Sequence, residues 1–313
     1  MKRIYSILIS FFLFQFLNAQ YEGYSKESWN DQLKIEESLF KNIDKTSFKK
    51  HLKKLTERPH VVGSEGNQEV IRYIGEVMQL AGMKVTNYPY DVYLPKNPGT
   101  SLIEIVTPNR DVLNQKEDII ENDPYTKDPE LWKGWNAFSG SGDVTAEVVY
   151  ANYGRKEDFE TLKSLGIDVS GKIVIARYGG NFRGYKAKFA EANGASGLII
   201  YTDPQDSGFT KGLVYPNGPY YNSSTIQRGS LLTTDFTGDP LTPFEPALPL
   251  DGKEKIERID PKNAQLHTIP VSPIGYGEAE KILSQMNGDP VPQSWQGGLP
   301  FTYRLQGGSS LTV

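Results

Sequence analysis

Apolar positions along the chain fall first at helical spacing and later into short unbroken runs. Phe48, Leu52 and Leu55 lie four and three apart behind Thr46 or Ser47, which predicts a short capped helix. Ser64 caps a second predicted helix, in which Val70, Ile71, Ile74, Val77 and Met78 form one apolar face and Gly82 is the stop. Residues 84–94 alternate between apolar and polar and predict a strand. Strands are also predicted at 102–106 and 144–150, with a short helix at 158–165 ended by Gly166. The clearest pattern spans 171–201. A β-branched run at 173–176 is broken by Gly179 and Gly180, a helical stretch runs to Asn193 and Gly194, and Leu198, Ile199 and Ile200 follow. Strand, turn, helix and strand in about thirty residues make one βαβ unit, so the fold class is α/β. Residues 95–99, Pro-Lys-Asn-Pro-Gly, mark the best domain boundary. Residues 208–249 read as long loops with short strands, and 276–286 as a last helix.

Composition narrows this picture without changing it. The 313 residues are 38% hydrophobic, 12% aromatic and 23% charged, ordinary values for a globular protein with a sizeable core. A net charge of -4 with no basic run argues against nucleic acid as a partner. The absence of cysteine excludes disulfides, thiolate nucleophiles and cysteine-based zinc sites. Residues 1–19 have the form of a secretory signal: Lys2 and Arg3, an apolar stretch from Ile4 to Leu17, then Asn18 and Ala19. The stretch is shorter than the about 20 residues a membrane-spanning helix needs. The expected protein is exported, with no membrane span. It ends at Val313 without a stop signal and reads as an interrupted chain.

The residues present assemble no catalytic machine. His51, His60 and His267 are the three histidines, and none has a second histidine three or four positions away. Neither G-x-S-x-G nor G-x-x-x-x-G-K-[ST] occurs, and the glycine spacing at 179–184 is wrong for a dinucleotide fingerprint. The most suggestive feature is Arg183, with Lys186 and Lys188 close behind, at the first turn of the helix in the βαβ unit. Free backbone N–H groups and the helix dipole favour an anion there, so Arg183 reads either as a receptor for a carboxylate or phosphate or as a solvated surface charge.

The run Ser170-Gly171-Lys172-Ile173-Val174-Ile175-Ala176-Arg177-Tyr178-Gly179, with Phe182-Arg183-Gly184, resembles the apical domain of the glutamate carboxypeptidase II (prostate-specific membrane antigen, folate hydrolase) family. Gln227-Arg228-Gly229, the stretch Gly238-Asp239-Pro240-Leu241-Thr242-Pro243, and Ile269-Pro270-Val271 extend the likeness, which covers about residues 46–300. The resemblance implies that residues 20–95 begin a zinc-peptidase α/β domain. Residues 96–313 then form a mixed, β-rich apical domain containing the protease-associated fold, with its core at about 140–250. It implies a metallopeptidase acting on a peptide with a free C-terminal carboxylate, as a homodimer when whole, with two zinc ions whose ligands lie beyond residue 313. Arg183 matches the arginine that grips the substrate carboxylate. Ser230 falls where the family has an asparagine, which leaves open strict glutamate selectivity and a preference for other C-terminal or for amino-terminal residues. Thr242 and Glu245 match positions whose backbone carbonyls bind calcium. The alternative is a non-catalytic, transferrin-receptor-like or protease-associated interaction module.

Overall fold

The computed structural model describes residues 23–313. The expected secretory signal lies outside the described residues. The chain forms two compact units, Met1–Arg58 and Pro59–Val313.

In the first unit, α1 (Lys26–Asn42) is capped by Ser25 and α2 (Lys45–Leu55) by Asp44. The α2 cap lies just before the Thr46 or Ser47 expected from sequence. The Asp44 carboxylate accepts from both the Thr46 amide, at 2.9 Å, and the Thr46 hydroxyl. An acceptor that is also an anion complements the positive helix end better than a hydroxyl does. The bond from the Thr46 side chain, then that from its amide, holds this carboxyl below its ordinary pKa.

In the second unit, α3 (Glu65–Leu80) begins at Ser64, whose hydroxyl accepts from the Asn67 amide at 3.2 Å. Residues 84–94 do not form a strand. Their alternation meets no neighbouring edge and is fixed instead at separate points, by Asp91 N–H to the Ala247 carbonyl and Tyr93 N–H to the Asp239 carboxylate. The two-residue strands β1 (Glu104–Ile105) and β2 (Asp111–Val112) pair antiparallel, and β3 (Asn136–Ala137) follows.

The core is built on β4 (Val148–Tyr150), α4 (Lys156–Ser164), β5 (Ile173–Arg177), α5 (Arg183–Ala192) and β6 (Gly197–Tyr201). After the short α6 (Pro204–Ser207) come β7 (Gly229–Ser230), β8 (Gly238–Asp239), β9 (Thr242–Pro243), β10 (Val271–Ile274) and α7 (Tyr276–Leu283). Strands β10, β6, β5 and β4 make one parallel sheet in that order. Every residue of β4, β5 and β6 is buried, as expected when both faces of a parallel sheet are covered. Helix α5 packs on β6 and against α4. It ends where the sequence expects, with Gly194 N–H on the Glu191 carbonyl and Ala195 N–H on that of Ala190.

Strand β10 has no clear sequence signal because Pro273 interrupts it. As the terminal strand of the sheet it tolerates a residue that cannot donate a ladder hydrogen bond. The outer edge of β4 is covered by the C-terminal segment. Tyr150 N–H donates to Leu305, Gly307 N–H to Val148, and Ala146 and Val313 exchange both of their bonds. No helix among the described residues is long and apolar enough to cross a membrane.

Candidate anion-binding site

Ligands of parallel sheets bind beyond the carboxyl ends of the strands. Here that end is formed by the loops after β4, β5 and β6. The turn after β5 needs two glycines: Gly179 has φ +98° and Gly180 φ +72°, a region ordinary side chains avoid. It rests on the Tyr153 ring, so a Cβ at Gly180 would stand 2.8 Å from Tyr153 Cβ. The Arg177 guanidinium covers that ring at 4.2 Å from its centroid, and the Tyr153 hydroxyl donates to Asp206 at 2.7 Å.

This turn delivers Arg183 as the first residue of α5. The side chain is half-buried. Its Nη1 makes one long bond, 3.4 Å, to the Ser230 carbonyl, while Nε is buried with no partner. The guanidinium lies 5.7 Å from the Tyr178 ring centroid and 5.4 Å from that of Phe182. Against Gly229 the approach is so close that a Cβ there would meet Nη1 at 2.3 Å. Among the described residues no carboxylate pairs with Arg183. Most of its donors are unspent, the state expected of a receptor for a planar anion.

Ser230 joins it by strand register. β7 pairs parallel with β3, setting Gly229 beside Asn136 and Ser230 beside Ala137. Asn136 Nδ2 donates to the Tyr178 hydroxyl and the Gly229 carbonyl, and Tyr178 donates to the Gln227 carbonyl at 2.8 Å. Burial, the largest influence, raises the Tyr178 pKa, which keeps it a neutral donor. Behind β7, Arg228 forks onto the Glu117 carboxylate and donates to the Trp132 carbonyl at 2.6 Å. The Ser230 hydroxyl accepts from Leu232 N–H at 3.0 Å and keeps its own proton to donate.

The two lysines grouped with Arg183 in the sequence are used otherwise. Lys188 pairs with Asp235 at 3.2 Å. Lys186 is fully buried and donates to the Tyr153 carbonyl, the Gly179 carbonyl and Asn181 Oδ1. Burial pushes its pKa down to about 7. Sequence reasoning also missed Asp203, a fully buried carboxylate that accepts from Gln205 N–H, Gly298 N–H and the Tyr201 and Tyr303 hydroxyls. Its only local signal is the Asp-Pro pair that opens α6.

Thr242 opens β9 and Glu245 lies in the turn that follows it. The Thr242 carbonyl accepts from Glu245 N–H and the Glu245 carbonyl from Thr242 Oγ1, each at 3.1 Å. Both carbonyl oxygens converge on Gly238, within 2.5 and 2.9 Å of where a Cβ would be. Calcium takes six to eight oxygens, of which these two carbonyls would be two. Among the described residues no group of three or more His, Asp or Glu gathers to hold a metal, so these residues do not fit zinc. His267 is held by Glu191 and by the Leu231 carbonyl, each at 3.1 Å.

A cavity of about 880 Å³ opens at the other end of the sheet, lined by Ile173, Gly197 and Val271 from the strand starts. Its ionisable side chains are Glu104 and Asp143, so it offers an anion no positive charge. The unspent donors of Arg183 therefore mark the candidate anion site better than this cavity does.

Residues 144–234 match the family described as PA domain. The glutamate carboxypeptidase 2 homolog of Caenorhabditis briggsae is 34% identical over 97% of this chain and 42% of its own length. Aminopeptidase NAALADL1 of Rattus norvegicus is 32% identical over 89% of this chain and 38% of its own. The chain thus spans about two fifths of the length of these relatives. Among solved structures, the aminopeptidase from Aneurinibacillus sp. strain AM-1 aligns at 17% identity and a TM-score of 0.35, covering 78% of this chain and 41% of that one. That likeness is too loose to argue from. With its fold, its motifs and these relatives in agreement, the chain belongs, over the stretch it spans, to the glutamate carboxypeptidase II family and carries a PA domain.

Proposed function

We propose that this chain is the N-terminal part of an exported, zinc-dependent exopeptidase whose residues 96–313 receive the free carboxylate of a peptide. Residues 20–95 begin the catalytic domain. The single observation that carries the reading is the Arg183 guanidinium: placed at a helix mouth, short of hydrogen-bond partners and without a carboxylate of its own. Its fork suits a C-terminal carboxylate, and Ser230 adds one hydroxyl donor beside it. One hydroxyl offers less than an amide, so the reading extends to C-terminal residues other than glutamate. The name of one relative is aminopeptidase, but an arginine repels a free ammonium, which favours the carboxylate end. Zinc would supply a nucleophilic water. Its ligands are assigned to the remainder of the protein. The carbonyls of Thr242 and Glu245 are proposed as two calcium ligands.

The test uses the full-length protein, a free-acid peptide and its C-terminal amide. Charged hydrogen bonds contribute about 1.5–3 kcal/mol, so Arg183→Ala should raise KM for the free acid roughly 10- to 150-fold and leave the amide unchanged. Arg183→Lys should recover only part of the loss, because an ammonium is not a fork. Equal KM values for the two peptides in the unmodified protein would sink the clamp. Peptide binding without turnover would favour the non-catalytic module.

A further inference from the structure

The buried Lys186 has no place in a direct contact with substrate. Its Nζ is enclosed by three oxygens, from Tyr153, Gly179 and Asn181, which match the three hydrogens of an ammonium. Its stem packs on Gly154, where a Cβ would stand 3.2 Å from Lys186 Cβ. One side chain thus ties the loop after β4 and the turn after β5 to the first turn of α5. The turn is also clamped from below by the Tyr153 ring, which Arg177 and Asp206 hold in place.

Arg183 depends on that turn as well as on its own contacts. It lies two residues beyond Asn181, and its guanidinium is placed by one 3.4 Å bond and two aromatic faces. Removing the ammonium leaves the carbonyls of Tyr153 and Gly179 without that donor and takes away one of the holds on the turn. We propose that Lys186 is a positioning residue that sets the reach of Arg183 toward the substrate carboxylate. This rests on the clamp reading above. It assigns the buried charge to substrate selectivity as well as to stability.

The test measures KM and kcat of the full-length protein on a free-acid dipeptide and its C-terminal amide, for Lys186→Met, Asn181→Ala and Arg183→Ala. Misplacing a binding group by about 1 Å can cost as much as 10²-fold. Lys186→Met should therefore raise the free-acid KM about tenfold, leave the amide KM unchanged and hold kcat within about twofold. Asn181→Ala keeps the lysine and removes one acceptor. It should shift the free-acid KM in the same direction by less, and it decides the matter if Lys186→Met does not fold. A purely structural lysine would lower the melting temperature and move both KM values together, or neither, and either result overturns the proposal. Should Arg183→Ala fail to separate the two peptides, the clamp itself is wrong and the positioning role falls with it. Separation by Arg183→Ala but not by the other two variants rejects the positioning role alone.

Discussion

Arg183, Lys186 and Lys188 look interchangeable as letters, yet each meets a different environment. Ala187 and Ala190 mark the inward face of α5, Lys186 shares it, and Arg183 sits at the flank with donors to spare. The position of Arg183 was legible because a Gly-Gly turn ahead of a helix places that residue in the first turn. The fate of Lys186 was not, because it depends on a carbonyl of Tyr153 in another loop. That burial has a pH consequence. The folded value, about 7, lies below the ordinary 10.5 of a lysine. Between those values the unfolded chain binds the proton more tightly, so raising the pH through that range relieves a penalty that is fully present in acid. The stability of the wild type relative to Lys186→Met should therefore rise from pH 6 to pH 9.5, measured by urea unfolding. A difference that stays flat would mean that the ammonium keeps its charge throughout.

At the scale of elements, the unit β5–α5–β6 was readable because its pattern, its punctuation and its burial agree. Apolar runs become strands covered on both faces, and the punctuating glycines Gly179, Gly180 and Gly194 fall where the backbone takes positive φ. The stretch 84–94 misled because alternation reports a half-buried surface and not the presence of a partner edge. Strand β10 was hidden for the converse reason: the partner exists, but proline blurs the signal. The glycine of the β5 turn can be weighed against one that has only its backbone to satisfy. Gly166 has φ +74° and nothing near its missing Cβ, so Gly166→Ala should cost about 1–2 kcal/mol from conformation alone. Gly180, at φ +72°, adds a contact of 2.8 Å with Tyr153 on top of that. Its alanine variant should lose clearly more, and the two urea midpoints measure the difference. Equal losses would mean that the Tyr153 ring yields freely and does not hold the turn.

Across the molecule, the sheet that presents the site is closed by residues far from it in sequence, and this no local pattern announces. Strand β4 would be an open edge if the chain stopped after β10. Instead residues 303–313 return to pair with it, and Tyr303, Leu305, Leu311 and Val313 are buried in the core. Asp203 ties the same segment to the end of β6 through the Tyr303 hydroxyl and Gly298 N–H. Burial pushes the Tyr303 hydroxyl well above its ordinary pKa, so this neutral donor persists at any ordinary pH. The PA match ends at 234, but the packed body that holds Arg183 runs on to the last residues described. A core leucine cut to alanine costs about 2–5 kcal/mol. In a unit of this size each kcal/mol lowers the melting point by about 2–4 °C. Leu311→Ala should therefore lower the melting temperature by roughly 5–20 °C, although it lies more than a hundred residues from Arg183. Removing residues 303–313 deletes four buried side chains and their strand bonds, a loss comparable to the about 5–15 kcal/mol that holds a domain together. That truncated chain should fail to give a cooperative melt. A sharp transition near the wild-type temperature would show that the sheet carries its own edge and that the C-terminal segment is only laid against it.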